Sequence, residues 1–210
     1  MNGIQQPEQI GMRERKKRDR LQRIKSAARQ LFIEKGYDET TVREIANRVD
    51  LSAATIFRYA QDKRDLLFLL FNDDHFDITT EAFSGIDEAA PLLDQLVDVF
   101  GHYYAYFAEQ PMLARYVLRE MEFYDSGEQA QKINKGRDNI FAGLSAIVSA
   151  ARRDGTIRCT EDDAMIVQLI FDIYQAESRR WLLDDAPVYE DGLKVLRLAL
   201  NLLINGLVKA

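Results

Sequence analysis

The chain has 210 residues, of which 47% are hydrophobic, with 34 acidic and 28 basic side chains. This composition is typical of a folded protein and excludes a disordered or fibrous chain. The longest apolar run, Leu66–Phe71, is far shorter than the ~18 residues of a membrane-spanning helix, so no membrane partner is expected. The N-terminus is polar and then basic, without the apolar segment of a secretory signal, and Cys159 is a single cysteine. Both features favour a reducing cytoplasm.

The charge is divided unevenly along the chain. Residues 1–65 carry 15 basic and 10 acidic side chains, whereas residues 66–210 carry 13 basic and 24 acidic ones. A basic head on an acidic body favours contact between the head and a polyanion. The cations from Arg13 to Lys25 would then contact phosphates or a minor groove. The alternative is a solvated basic tail and helix face.

Taken in chain order, residues 1–12 are predicted to form a disordered tail, and a long helix begins at Arg13. The helix is predicted to end at Lys35-Gly36, where a cation in the last turn precedes a glycine. One face of this helix carries an apolar stripe with three- and four-residue spacing, in which Lys25 is the one polar member. The stripe consists of Leu21, Ile24, Lys25, Ala28, Leu31 and Phe32.

Two short helices follow the first one. Thr41 and Glu44 have the spacing of a capping box, which predicts a helix start at this point. Ser52 is the predicted N-cap of a second short helix that ends near Tyr59, and Asp62 is the predicted N-cap of the next long helix.

The remainder is predicted to be helical throughout. Helices separated by Gly, Pro or Ser are predicted at residues 66–83, 91–110, 112–123, about 128–153, 160–184 and 190–208. The predicted fold class is therefore all-α, with about nine helices. A domain boundary is predicted after the first three helices, so residues 13–62 form one domain and residues 63–210 form a second, helical domain.

Two short helices joined by a tight turn behind a basic helix are typical of a helix-turn-helix. The major groove of B-DNA admits one helix, so the second helix needs an apolar anchor on one face only, which Ile56 supplies. The outward residues are Ala53, Ala54, Thr55, Arg58 and Tyr59. Two alanines let the backbone approach base edges, and Thr55 offers a hydroxyl and a methyl group. Arg58 suits guanine or phosphate.

Three motifs and three further positions lie within residues 18–70. They are Ala28-x-x-Leu31-Phe32-x-x-x-Gly36-Tyr37, Thr40-Thr41-Val42-x-x-Ile45-Ala46, and Leu51-Ser52-x-x-Thr55-Ile56-Phe57, with Lys63 and Leu66-Leu67. Together they resemble the TetR/AcrR family of bacterial transcriptional regulators. The later helices match that family in number, length and order.

The resemblance implies phosphate contacts at Thr41 and Lys63 and a backbone or base contact at Arg43. It also places Ser52, Ala54 and Thr55 at the groove and Tyr59 at the edge of the groove. A helix N-terminus beside a lysine is also a sound anion site on physical grounds. The full set of predicted DNA contacts is Thr40, Thr41, Arg43, Ser52, Ala53, Ala54, Thr55, Arg58, Tyr59 and Lys63.

The chain departs from the family at three positions. Tyrosine, histidine and phenylalanine are usual where Phe57, Tyr59 and Ala60 stand. Phe57 cannot make the phosphate bond of a tyrosine, although Tyr59 offers a replacement hydroxyl. Ala60 leaves local packing that another group must fill. These departures keep an alternative open: a ligand-binding or protein-interaction module whose helix-turn-helix no longer recognises specific DNA. A helical bundle that only looks like a helix-turn-helix is another.

The last helix is apolar around nearly its whole circumference, which requires burial on all sides. The resemblance implies that the last two helices pair with their symmetry mates in a four-helix bundle. The predicted dimer interface contains Leu196, Ala199, Leu200, Leu203 and Leu207. Complete burial within one subunit is the alternative.

The middle helices are rich in aromatic residues, which suit a cavity for a small organic effector. The candidate lining is Phe100, Tyr103, Tyr104, Phe107, Phe123, Phe171, Tyr174 and Trp181. An ordinary aromatic core is the alternative explanation.

No catalytic, phosphate-binding or dinucleotide motif is present, and His75 and His102 are far apart in the sequence. Asp73 and Asp77 have a spacing that could hold a metal, but a solvated helix end is favoured. We therefore predict neither enzyme activity, nor a metal, nor a cofactor.

The predicted function is repression by a homodimer that binds a palindromic DNA operator and is released by a small organic effector. Effector binding would tilt the helix that starts at Asp62 and change the separation of the two recognition helices. DNA fixes that separation near ~34–36 Å per turn, so a small change weakens both half-site contacts together.

Overall fold

The structure of this protein is a computed structural model that describes residues 11–208, apart from the side chains of Arg13, Leu207 and Val208. Within that span the chain forms nine helices and no strand. The helices are α1 (Met12–Glu34), α2 (Val42–Arg48), α3 (Ala53–Ile56), α4 (Lys63–Ser84), α5 (Leu92–Glu109), α6 (Pro111–Met121), α7 (Glu128–Arg153), α8 (Asp163–Trp181) and α9 (Tyr189–Val208). The predicted all-α class is confirmed. Most of the predicted tail, residues 1–10, lies outside the described residues.

The chain divides into two compact units, with the division between Leu69 and Leu70. The division falls inside α4, a few residues after the predicted domain boundary between residues 62 and 63. No described helix is long and apolar enough to cross a membrane.

In the first unit, α1 packs on α2, and α2 packs on α3. The predicted stripe of α1 is buried at Ile24, Ala28, Leu31 and Phe32. Lys25, the polar member, is also buried. Gly36 has φ of 87°, the left-handed conformation that ends a helix without the steric cost of a side chain.

Local side-chain bonds start the helices at the predicted places. Thr41 and Glu44 form the capping box of α2. At the start of α4, the N–H of Asp65 donates to Asp62 Oδ1 at 2.7 Å. In return, the N–H of Gln61 donates to Asp65 Oδ2 at 2.9 Å. These bonds pair the backbone donors that a helix leaves open at its first turn.

In the second unit, α9 packs on α5 and α8, and α8 also packs on α7. The buried residues of α5 form the centre of this core and include Leu96, Val99, Phe100, Tyr103, Tyr104 and Phe107. Helix α8 is shorter than the predicted range 160–184. It starts late because Asp162 Oδ1 accepts from the N–H of Ala164 at 3.1 Å and caps it.

Candidate DNA-binding surface and ligand cavity

Local hydrogen bonds set the turn between α2 and α3. Asp50 is left-handed, with φ of 57°, and the N–H of Leu51 donates to the Ala46 carbonyl at 2.9 Å. Ser52 caps α3 because its Oγ accepts from the N–H of Thr55 at 3.2 Å. Ile56 is buried and anchors the short helix. The turn, the Thr41 cap of α2 and the Ser52 cap of α3 therefore follow from a short stretch of sequence.

Single hydrogen-bonded turns extend α3 beyond Ile56. The N–H groups of residues 57–60 donate to carbonyls three or four residues earlier, so helical geometry reaches the predicted end near Tyr59. We call the side chains that remain accessible here the reading surface. Its exposed members are Ser52, Ala54, Phe57 and Arg58, and its partly exposed members are Ala53, Thr55 and Tyr59.

Thr40 does not belong to the reading surface, and the prediction that it contacts DNA is wrong. Its side chain is 1% exposed. The hydroxyl donates to the carbonyls of Gly36, at 2.8 Å, and Leu31, at 3.1 Å. The Thr40 hydroxyl is therefore used within the fold, where it bonds to one carbonyl in the last turn of α1 and to one just after this helix.

Thr41 and Arg43 are exposed at the start of α2. The N–H of Thr41 donates to Glu44 Oε2 at 2.8 Å, and the N–H of Glu44 donates to Thr41 Oγ1 at 3.2 Å. The hydrogen-bonded ion pair with Lys35 and the bonds from Thr41 lower the pKa of Glu44 to about 2. A phosphate at Thr41 would therefore lie beside a carboxylate that stays ionised at neutral pH.

Lys63 holds the connection between α1 and α2. Its Nζ donates to the carbonyls of Tyr37, at 2.8 Å, and Asp38, at 3.1 Å. It also lies 4.4 Å from the centre of the Tyr37 ring, within cation–π distance. Because an ammonium group has three hydrogens, one remains for another acceptor. The phosphate contact of Lys63 stays a prediction.

A basic cleft of about 670 Å³, missed from the sequence, adjoins the reading surface. Its cations are Lys16, Lys17 and Arg20 of α1 and Arg58 beyond α3, against one acid, Glu14. Such a cluster of cations attracts a polyanion. The sequence showed the cations, but which of them meet Arg58 depends on how α1 packs against its neighbours.

Two other cations of the predicted basic run support the fold. Arg23 donates to the Val49 carbonyl at 2.8 Å, and Lys25 is buried. Their role is therefore structural in the first unit.

In the second unit, most of the predicted effector residues form a buried aromatic cluster. Phe100 stacks on Tyr174 with ring centres 4.4 Å apart. The Tyr103 hydroxyl donates to Thr79 Oγ1 at 2.9 Å. The rings of Tyr104 and Trp181 pack with their centres 4.8 Å apart. The indole N–H of Trp181 donates to the Val188 carbonyl at 2.8 Å.

The prediction that Phe123 lines the pocket is wrong. Its side chain is 89% exposed, and its φ is 57°. Helix α6 ends at Met121 rather than at the predicted residue 123. Phe123 thus lies in the connection after the helix, beyond the face that packs on the core.

An inner cavity of about 60 Å³ lies at one side of the aromatic cluster. Three predicted residues line it: Phe107, Phe171 and Tyr174. Residues that sequence reasoning missed complete the lining: Phe71, His75, Leu118, Met121, Ile133, Arg137, Ile140, Gln175 and Ser178. They come from α4, α6, α7 and α8, so no single periodic stripe marks them.

A larger outer cleft of about 560 Å³ shares Leu118 with the inner cavity. It is lined by Arg115, Leu118, Arg119, Glu122, Arg179, Leu182 and Leu183. Arg179 pairs with Glu122 at 3.3 Å. Arg115 donates to the carbonyls of Leu182, at 2.6 Å, and Asp184. Cations at the rim and apolar residues inside suit an amphipathic anion.

His75 lies in the wall of the inner cavity, whereas Asp73 and Asp77 are exposed. Burial lowers the pKa of the His75 imidazole from 6.5 to about 4. The unfolded chain therefore binds a proton first as the pH falls. The stability that the neutral imidazole contributes is complete above about pH 6.5 and is lost progressively toward pH 4.

We expect the free energy of unfolding to fall less between pH 7 and pH 4 in His75→Phe than in the wild type. Urea unfolding at several pH values measures this difference. Carboxylates titrate in both proteins and cancel in the comparison. Parallel pH profiles would contradict the assignment of acid sensitivity to His75.

The predicted dimer residues on α9 do not share one accessible face. Leu196 and Leu200 are fully buried within the subunit, so their placement at an interface is wrong. Ala199 and Leu203 are partly exposed, and the side chain of Leu207 lies outside the described residues. The exposed apolar residues are instead Val195, Leu198 and Leu202 of α9 and Met165 and Leu169 of α8. We call these five residues the exposed stripe.

A short capped helix with accessible residues, anchored by Ile56 next to a basic helix, defines the class of helix-turn-helix DNA-binding proteins. Residues 24–70 match the family profile described as "Bacterial regulatory proteins, tetR family".

Relatives extend this similarity over most of the chain. The fatty acid metabolism regulator protein of Bacillus subtilis is 27% identical over 197 residues, covering 92% of this chain and 98% of that protein. The transcriptional repressor KstR of Mycobacterium tuberculosis is 26% identical over 189 residues, covering 89% and 81%. The crystal structure of FadR from Bacillus subtilis with stearoyl-CoA has a TM-score of 0.70 at 25% identity, covering 88% and 98%.

Residues 24–70 therefore form a DNA-binding domain of the TetR type, and the chain is a DNA-binding transcriptional regulator rather than an enzyme.

Proposed function

We propose that this protein is a repressor that acts in the bacterial cytoplasm. It binds an inverted-repeat operator as a homodimer and is released by an acyl-coenzyme A. The observation that carries the proposal is the pairing of an accessible reading surface with a separate cavity that has an apolar interior and a cationic rim.

Residues 13–62 recognise DNA in this proposal, and residues 63–210 bind the effector and the second subunit. Ser52, Ala53, Ala54 and Thr55 face the groove, and Arg58 and Tyr59 lie at its edge. Thr41, Arg43 and Lys63 contact the backbone. The cations of the basic cleft add affinity without sequence information.

The effector class follows from the outer cleft and the inner cavity, which share Leu118 in their walls. The arginines of the outer cleft suit the phosphates of coenzyme A. The inner cavity, lined by Phe71, Phe107, Leu118 and Met121, suits the acyl chain. The relative from Bacillus subtilis whose structure contains stearoyl-CoA supports this choice, as does the relative named for fatty acid metabolism.

Acyl-chain entry requires the inner cavity to expand, because its volume of about 60 Å³ is well below the roughly 300–1,000 Å³ of a typical small-molecule pocket. Met121 and Leu118 are flexible enough to move apart. The ligand then binds the expanded form more tightly and shifts the population toward it. Because Phe71 and His75 belong to α4, expansion displaces this helix, which begins with Lys63.

The exposed stripe supports the homodimer. Leu198 and Leu202 of α9, with Met165 and Leu169 of α8, form apolar surface that water disfavours. Pairing α8 and α9 with their symmetry copies buries this surface in a four-helix bundle.

Selection of bound fragments from a random DNA library tests the proposal. We expect an enriched inverted repeat whose half-site centres are about one helical turn apart, or a multiple of it. A long-chain acyl-CoA is expected to release the protein from that DNA, and coenzyme A alone is not. Failure to enrich any repeat would favour the ligand-binding or interaction module that the exposed Phe57 allows.

Base and backbone contacts are expected to respond differently to substitution. Thr55→Ala should relax the base preference at one operator position, which is worth about 1–3 kcal/mol. Arg43→Ala should weaken binding to all sequences alike and reduce the salt slope by about one. Fluorescence anisotropy at several salt concentrations, with matched operator variants, measures both effects. Equal effects of the two substitutions would contradict these roles.

Lys63→Ala is expected to weaken binding to all sequences, but also to lower the melting temperature. Its ammonium bonds to two carbonyls of the α1–α2 connection. Arg43 is therefore the cleaner test of a backbone contact, because its side chain is exposed.

A further inference from the structure

The imidazole of His75 is a polar group in a wall made largely of apolar side chains. It lines the inner cavity. The centre of its ring lies 4.8 Å from the ring centre of Phe71 and 5.7 Å from that of Tyr103. Among the described residues, no side chain or carbonyl hydrogen-bonds to either imidazole nitrogen. His75 therefore has hydrogen-bonding capacity that the fold leaves unused.

Other polar side chains of the cavity wall already have partners. The Ser178 hydroxyl donates to the Tyr174 carbonyl at 2.7 Å. Gln175 Oε1 accepts from Arg179 at 2.9 Å. Arg137 donates to Asn134 Oδ1 at 2.7 Å. His75 differs from these groups because, among the described residues, its side chain has no hydrogen-bond partner.

The backbone of α7 leaves room for the imidazole at Gly136. A Cβ atom added at residue 136 would lie 2.9 Å from His75 Nδ1 and 3.0 Å from its Cε1. These separations are shorter than van der Waals contact, so any other residue at position 136 would push the ring away. The absence of a side chain at Gly136 thus allows the imidazole to occupy this position.

The imidazole is neutral at physiological pH, because burial lowers its pKa to about 4. A neutral imidazole carries one donor and one acceptor nitrogen, so it can pair with a carbonyl or with a hydroxyl group. A polar group in a cavity loses its hydrogen bonds when a ligand without a matching donor or acceptor binds. Such a group therefore favours ligands that can form the hydrogen bond over ligands that cannot.

We propose that His75 determines effector specificity by hydrogen bonding to an oxygen atom of the inserted acyl portion. This inference rests on the proposed acyl-coenzyme A effector. The oxygen has two possible sources, the thioester carbonyl and a hydroxyl group on the acyl chain. Both offer the same hydrogen-bonding chemistry.

Three probes of equal chain length separate the sources: octanoyl-CoA, its S-octyl thioether without the carbonyl, and 3-hydroxyoctanoyl-CoA. Isothermal titration calorimetry on the full-length protein measures their affinities. We expect at least one oxygen to raise affinity about tenfold over the probe that lacks it. A weaker thioether identifies the carbonyl, and a tighter hydroxyacyl probe identifies the chain hydroxyl.

His75→Phe keeps an aromatic ring and removes both nitrogens. We expect this variant to abolish the difference between probes. His75→Gln restores hydrogen-bonding groups and is expected to recover part of the difference. Melting temperatures verify that both variants are folded.

The outcomes distinguish this inference from the proposed function. If no probe binds, the acyl-coenzyme A proposal fails, and the role of His75 fails with it. If wild type binds all three probes equally, the effector class stands and the role of His75 is overturned. The same conclusion follows if His75→Phe weakens all three probes by one common factor.

Discussion

Leu198→Glu is expected to separate the dimer into monomers and to lower operator affinity at least about 100-fold. Leu198 is 61% exposed on α9 and belongs to the exposed stripe. Burial of an unpaired carboxylate in an apolar interface is strongly unfavourable. Each monomer then binds one half-site, and the gain from simultaneous binding of both half-sites is lost. Light scattering after size-exclusion chromatography gives the mass, and fluorescence anisotropy gives the affinity.

Phe76→Glu is the matched control, because it introduces the same carboxylate at an exposed apolar residue of α4 outside the stripe. We expect this variant to remain dimeric and to keep operator affinity. A dimeric Leu198→Glu protein would show that the subunits associate through another surface.

Phe100→Ala is expected to reduce the free energy of unfolding by about 3–5 kcal/mol. Phe100 is 0% exposed and stacks on Tyr174. Its loss removes apolar surface from the centre of the α5 core and leaves a cavity among aromatic rings that cannot close over it. Urea unfolding at fixed protein concentration measures the change as a lower midpoint with an unchanged slope.

The control is Phe76→Ala, which removes the same ring from a residue that is 63% exposed. A change within about 0.5 kcal/mol is expected at this surface position. Comparable losses in the two variants would mean that Phe100 does not hold the core together.

Features that depend on neighbouring residues could be predicted from the sequence. The capping box at Thr41 and Glu44, the cap at Ser52 and the cap at Asp62 each need only a few consecutive residues. The inward position of Ile56 follows from the spacing within one short helix. Helix-turn-helix geometry is therefore strongly encoded locally.

Features that depend on distant residues could not be predicted in the same way. Thr40 is polar and looks like a surface residue in the sequence, but it is buried and its hydroxyl bonds to the carbonyls of Leu31 and Gly36. The aromatic pattern of α5 does not tell the core residue Phe100 from the cavity residue Phe107, because the difference depends on which helices pack beside each one.

The last helix shows a similar limit. Apolar residues around its circumference predicted burial on all sides, but not which side would be covered by the same subunit. Because α5 and α8 pack on α9, Leu196 and Leu200 become core residues and Val195, Leu198 and Leu202 remain accessible. Partition between core and surface is therefore a tertiary property.

The close approach of His75 to Gly136 has an evolutionary consequence. A methyl group at position 136 would lie 2.9 Å from an imidazole atom, so a residue larger than glycine at position 136 cannot coexist with the imidazole in its present place. Homologues with a larger residue at position 136 should carry a smaller one at position 75. A correlated exchange across α4 and α7 in an alignment would be the signature of this steric constraint.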